Sequence, residues 1–198
     1  MAITLEIIEK GYTQASYLEL FERLVEQGMT TGENQSEDMI GYTKLNWQRL
    51  MRSQKTLKLP VDVQDDLKNL TGLYVLLVLT EPWCGDAANA TPVFGMIDEQ
   101  APNVELRYIL RDEHLDIIDE YLTNGGRSIP KAIILKKDSL EVLGSWGPRP
   151  QKGMEMLAEY KSGTIDKDEF YKQLQRFYAK NKGEDTFREI LEILKSAE

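Results

Sequence analysis

Leu73-Tyr74-Val75-Leu76-Leu77-Val78-Leu79 is a near-continuous apolar run that carries no charge. A short run of this kind marks a strand covered on both faces, not the alternation of a sheet with one wet side. Such a strand has to sit inside a sheet with a layer of structure on each face, so the rest of the sequence must supply helices for both. The run is also far below the roughly 20 apolar residues of a membrane-spanning helix.

The flanking sequence supplies those layers. Ser16-x-x-Glu19 has the pattern of a capping box and precedes Tyr17, Leu18, Phe21, Leu24 and Val25 on one helical face, with Gly28 as a stop. A polar loop from Thr30 to Ser36 leads to a second helix from near Met39 to Leu57, with Ile40, Thr43, Trp47, Leu50 and Gln54 at helical spacing and Pro60 closing it. Val61 to Leu70 forms a short amphipathic helix ended by Thr71-Gly72. After the apolar run come a helix over Asp86–Gln100, a strand over Val104–Leu110, a helix over Leu115–Leu122 and the turn Asn124-Gly125-Gly126. Strands at Ala132–Leu135 and Leu140–Leu143 are joined by Lys136-Lys137-Asp138-Ser139 as a hairpin. The tail is helical: Lys152–Tyr160, then a helix capped by Asp166-x-x-Glu169 carrying Phe170, Leu174, Phe177 and Tyr178. Gly183 interrupts, and a last helix follows, capped by Thr186-x-x-Glu189 and carrying Phe187, Ile190, Leu191 and Leu194. The order predicts an α/β sandwich around a central mixed β-sheet.

Charge narrows the partners. The formal net charge of −9 and the lack of dense Lys/Arg clusters argue against a nucleic-acid partner and against a polybasic membrane patch. A single cysteine excludes an internal disulfide and a multi-thiolate metal site, and no His/Cys/carboxylate cluster implies a metal. The free thiol and the absence of a basic, then apolar, N-terminal pattern set the expectation of a cytoplasmic protein.

Chemistry concentrates in Glu81-Pro82-Trp83-Cys84-Gly85-Asp86-Ala87. This segment leaves a buried strand and opens a helix, which puts Cys84 at a helix N-terminus. There the free backbone N–H groups and the helix dipole lower a thiol pKa from its free value of about 8.5. Trp83 would shield the sulfur, Gly85 lets the backbone turn sharply, and Asp86 either opposes thiolate formation through its own charge or serves the helix by occupying its first turn, a favourable place for an anion. These terms predict an accessible thiol with a modestly depressed pKa, provided that an arginine neutralises Asp86.

The segment resembles the active-site loop of the thioredoxin family, whose Trp-Cys-Gly-Pro-Cys motif is matched at Trp83, Cys84 and Gly85. Asp86 replaces the proline and Ala87 replaces the resolving cysteine. Pro92, eight residues after Cys84, falls where the family kinks its helix, Ile129-Pro130 resembles its cis-proline, and Gly147 its glycine before the final helix. The resemblance implies a three-layer thioredoxin-like sandwich over residues 61–160, with helical extensions at 1–60 and 161–198 packed on it. It also places Arg127 beside the cis-proline, and Trp146 and Arg149 on the loop flanking the substrate groove, either arginine being a candidate partner for Asp86. Val78 stands where the family has a buried acid, so that proton-transfer aid is missing.

Two functions follow as expectations. In the first, Cys84 carries out monothiol thiol-disulfide exchange with a protein or a low-molecular-weight thiol or disulfide, which an external thiol resolves. In the second, the groove around Pro130 binds a peptide or protein partner without turnover. The first leads, because a cysteine at a helix N-terminus beside Trp83 and Pro130 is more than packing needs. No cofactor is implied, and the extensions leave a homo-oligomer open.

Overall fold

The computed structural model describes residues 3–196. In sequence order its elements are α1 (Leu5–Lys10), α2 (Gln14–Gln27), α3 (Glu37–Thr56), α4 (Val61–Lys68), β1 (Tyr74–Thr80), α5 (Ala87–Gln100), β2 (Val104–Leu110), α6 (Leu115–Ile118), β3 (Lys131–Lys136), β4 (Val142–Trp146), α7 (Gln151–Lys161), α8 (Lys167–Asn181) and α9 (Glu184–Lys195).

The apolar run from Tyr74 onward becomes β1, every residue of which is buried, while Leu73 before it is exposed. The sheet order is β2-β1-β3-β4, with β1 parallel to β2 and antiparallel to β3, and β3 antiparallel to β4. The pleat sends alternate side chains of β1 into two cores. Leu76 and Val78 join Ala132, Ile134, Leu106 and Tyr108 against Phe21, Leu50, Val93, Phe94, Phe187 and Ile190 of the helical layer. Val75, Leu77 and Leu79 join Ile109, Ile133 and Leu135 against Ile3, Ile8, Ile117 and Ile118 on the other face. The protein is thus an α/β thioredoxin-like sandwich carrying helical extensions at both ends.

The extensions are bound into this sandwich. Helix α3 packs along α5 and α2, and α9 packs on β4, α4 and α5. The stripe Thr43, Leu50 and, half-buried, Trp47 is the inward face of α3, with Trp47 against the Phe21 ring at 5.3 Å between centroids.

Several local expectations shift. Helix α2 starts three residues earlier than the Ser16 cap implies: Thr13 is its N-cap, and the Ser16 hydroxyl at the third helical position accepts from the Thr13 N–H, the role that the Ser16-x-x-Glu19 pattern assigned to Glu19. Helix α9 starts at Glu184 behind a left-handed Gly183, so Thr186 and Glu189 lie inside it and do not cap it. Helix α6 ends at Ile118, earlier than Leu122. Strand β4 begins at Val142 because Leu140, at φ 56°, is part of the turn. The short α1, capped by Thr4, had no periodic signal strong enough to announce it.

Candidate functional site

The loop between β1 and α5 carries Cys84 to the helix N-terminus as its position requires, and the Cys84 thiol donates to the Ile129 carbonyl at 3.3 Å. Ile129-Pro130 is cis, as the resemblance implied, and so is Gly147-Pro148. Gly147 is the residue that lets these two segments meet: at φ 115°, a Cβ on it would lie 2.1 Å from the Pro130 carbonyl oxygen. The buried Lys131 ammonium then ties the Gly147 carbonyl (3.2 Å) to the Thr123 hydroxyl (2.7 Å).

The expectation of an accessible, acidified thiol is overturned. Cys84 is only 9% exposed, and burial pushes its pKa from 9.0 up to about 12. The adjacent Asp86 carboxylate adds to the rise, while the Ala87 and Asp86 N–H groups and Arg149 act against it. Weighing the helix N-terminus against one charge leaves out desolvation, which dominates once the loop is closed over by its neighbours. Ala87, in the resolving position, is a buried packing residue.

Of the two arginines, Arg149 is the partner of Asp86. Its Nη2 lies 2.6 Å from Oδ2 and its Nε 3.0 Å from Oδ1, a two-pronged geometry with both side chains mostly buried. Tyr178 of α8 donates a third bond to Asp86 Oδ1 at 3.1 Å. Burial raises the Asp86 pKa, and Arg149 and Tyr178 hold that rise back. Arg127 is elsewhere: it is half-exposed and pairs with Asp119 at 2.6 Å, so it takes no part in neutralising Asp86. Trp146 also leaves the groove. It packs edge-on to Phe94 at 5.5 Å and donates its indole N–H to Glu189 of α9 at 2.5 Å, because the pleat of β4 turns it into the helical core. Trp83 lies half-buried under the Arg111 guanidinium, 4.9 Å from the ring centroid.

Next to the loop opens a cleft of about 590 Å³. Its floor is Trp83, Cys84, Gly85, Asp86 and Arg149. One wall is a second stripe of α3, Met39, Tyr42, Leu45, Asn46 and Arg49, and the other is Lys167, Tyr171, Leu174 and Gln175 of α8. Buried Asn46 fixes α3 to the loop by donating to the Pro82 carbonyl at 3.3 Å, and its own carbonyl accepts from Arg49 at 3.0 Å. Neither wall was expected from the sequence. Their signal was the helical spacing of Met39, Tyr42, Leu45 and Arg49 beside the core stripe, which leaves Tyr42 54% exposed and Tyr171 on the facing helix 49% exposed.

Glu81 was equally unexpected. Its side chain is fully buried at the end of β1, where it accepts from the Thr31 hydroxyl and, at 2.9 Å, from the Asp112 N–H. Burial pushes its pKa from 4.5 up to about 7. Among the described residues no group of three or more His, Cys, Asp or Glu is arranged to hold a metal ion, and no helix is long and apolar enough to cross a membrane.

Comparisons with known proteins agree with the fold. No curated protein matches the sequence. A crystal structure of a protein of unknown function from Pseudomonas aeruginosa is 21% identical with a TM-score of 0.67, over 100% of both proteins. An HIV epitope-scaffold is 19% identical with a TM-score of 0.68, over 98% of each. Both likenesses concern the fold, and both run through the helical extensions. The thioredoxin family model matches residues 32–161, a span that takes in α3 as well as the sheet. With the β1–loop–α5 unit, the cis Ile129-Pro130 bond and that match in hand, the chain belongs to the thioredoxin family.

Proposed function

We propose that this protein is a thioredoxin-fold binding module that uses the cleft over the Trp83-Cys84-Gly85-Asp86 loop to hold a ligand or partner without thiol turnover. The observation that carries this reading is the state of Cys84: its sulfur is buried, hydrogen-bonded to the Ile129 carbonyl and raised in pKa, while an open cleft lies beside it. At neutral pH a thiol with a pKa of about 12 is almost wholly protonated, and thiol-disulfide exchange needs the thiolate. Ala87 offers no second thiol to resolve a mixed disulfide. Volume and lining also suit binding, since ligand sites are typically about 300–1,000 Å³ with a largely apolar wall and a few convergent polar groups.

The monothiol reading keeps one observation in its favour. Cys84 lines the cleft, and the backbone N–H groups of Ala87 and Asp86 point at its sulfur. A turnover assay with a mixed-disulfide substrate and glutathione, comparing the parent with Cys84→Ser, separates the two. No turnover by either protein supports the binding module. Turnover by the parent that vanishes with the thiol overturns it.

A further inference from the structure

The cleft is basic on an acidic molecule. Its lining holds Arg49, Arg149 and Lys167 against the single carboxylate of Asp86, whereas the protein as a whole has a net charge of −9. Asp86 is already committed to Arg149 through two hydrogen bonds. Arg49 and Lys167, on opposite walls, form no ion pair with any described residue. Arg49 is half-buried, and its Nη1 rests so close over the active-site loop that a Cβ on Gly85 would sit 3.2 Å from it. One nitrogen is oriented by Asn46, and although the Arg49 charge is felt by Asp86, the remaining donors of its planar fork make no ion pair with a carboxylate among the described residues. Around these charges the walls are Met39, Tyr42, Leu45, Tyr171 and Leu174.

Resting on the binding-module reading, we infer that the cleft recognises a carboxylate on an apolar body, the carboxylate taken by Arg49 with Lys167 facing it and the body laid between Tyr42 and Tyr171. The planar guanidinium fork matches a carboxylate with two parallel bonds. The lining contains no Ser or Thr hydroxyl of the sort that phosphate sites gather around their extra oxygens, which favours the carboxylate.

The test is calorimetric titration of the full-length protein with 4-phenylbutyrate, 4-phenylbutyramide and phenyl phosphate. An N-acetylated tetrapeptide ending in leucine-phenylalanine is added, as the free acid and as the C-terminal amide. The acids should bind at least about tenfold more tightly than their amides, the loss expected for one charge-assisted hydrogen bond. Arg49→Gln should abolish that preference, Arg49→Lys should retain part of it, and Lys167→Ala, at an exposed position, should reduce it without moving the melting temperature. Tighter binding of the peptide acid than of 4-phenylbutyrate makes the source a polypeptide C-terminus, and the reverse order makes it a free acid.

Equal binding of acids and amides overturns the inference while leaving a binding cleft in place. Phenyl phosphate binding tenfold more tightly than 4-phenylbutyrate overturns the carboxylate assignment. Absence of binding by any probe overturns the inference too, and the turnover assay then judges the binding module independently. If Arg49→Gln does not fold, an acid preference unaffected by Lys167→Ala has the same consequence.

Discussion

Gly147 and Arg149, two residues apart, stabilise the site by different physics. Gly147 combines a left-handed φ of 115° with a backbone contact that no side chain can share. Gly147→Ala should therefore cost at least about 2 kcal/mol, read as a lower denaturant midpoint, since backbone strain and a clash with a carbonyl add. Arg149 neutralises a buried carboxylate, and Arg149→Ala leaves Asp86 without its cation, a loss of about 3–5 kcal/mol for pairs of this burial. Asp86→Asn removes a charge that raises the Cys84 pKa, so the rate of iodoacetamide alkylation should rise at lower pH than in the parent. An unchanged alkylation profile would leave burial as the whole cause. Glu81 gives a pH signature. Its folded pKa of about 7 stands above the unfolded 4.5, so the folded state holds the extra proton between those values. The contribution of Glu81 to stability is then fullest below pH 4.5 and falls as pH rises to about 7, by about 3 kcal/mol at about 1.4 kcal/mol per pH unit. Glu81→Gln keeps an acceptor for the Asp112 N–H and should flatten this slope in urea unfolding measured from about pH 4.5 to 8.

At the scale of elements, α3 and α8 each present two faces with different duties. The inward stripe of α3, with Thr43 and Leu50 fully buried, holds the helix on α5, and the adjacent stripe of Met39, Tyr42 and Arg49 faces the cleft. Helix α8 buries Phe170 and Leu174, delivers the Tyr178 hydroxyl to Asp86 and turns Lys167 and Tyr171 to the cleft. The Arg149 guanidinium lies 5.6 Å from the Phe170 ring, so the ion pair under the cleft is also packed against α8. Helix α9 lines no part of the cleft and covers the sheet instead, with Glu189 also accepting from the Trp146 indole. Ile190 is completely buried against the sheet, and Ile190→Ala should cost about 2–5 kcal/mol with no effect on binding in the cleft, as judged by unfolding and titration of the same variant.

For the whole molecule, the extensions complete the sandwich and the site together. We propose that the described parts of the extensions, residues 3–60 and 161–196, form one cooperative unit with the sheet, and we expect a protein truncated after residue 182 to unfold at a clearly lower denaturant concentration than the parent. An unchanged midpoint would make α9 accessory. The physical reason is that β4 and the outer side of α4 and α5 would lose the cover that α9 gives them.

The sequence by itself determined the principal elements, though not α1 or every boundary, and the loop. An apolar run fixes a two-sided strand, helical periodicity fixes the flanking layers, and Trp83, Cys84, Gly85, Pro92 and Pro130 stand in the order of a thioredoxin active site, because these signals are local or depend only on order along the sequence. Which charges meet was not legible. Arg127 and Arg149 are equivalent on paper, and only the packing of the Gly147 loop against Pro130 sends one to Asp86 and leaves the other on Asp119. Trp146 illustrates the same limit, since it was expected on a loop and instead ends β4, where pairing with Ala132 turns it into the helical core. The burial of Cys84 and Glu81, and the cleft between α3 and α8, arise from segments far apart in sequence closing on one another. Desolvation is a property of that closure, and so the tertiary structure alone decided that the one cysteine of this protein is buried against the Ile129 carbonyl.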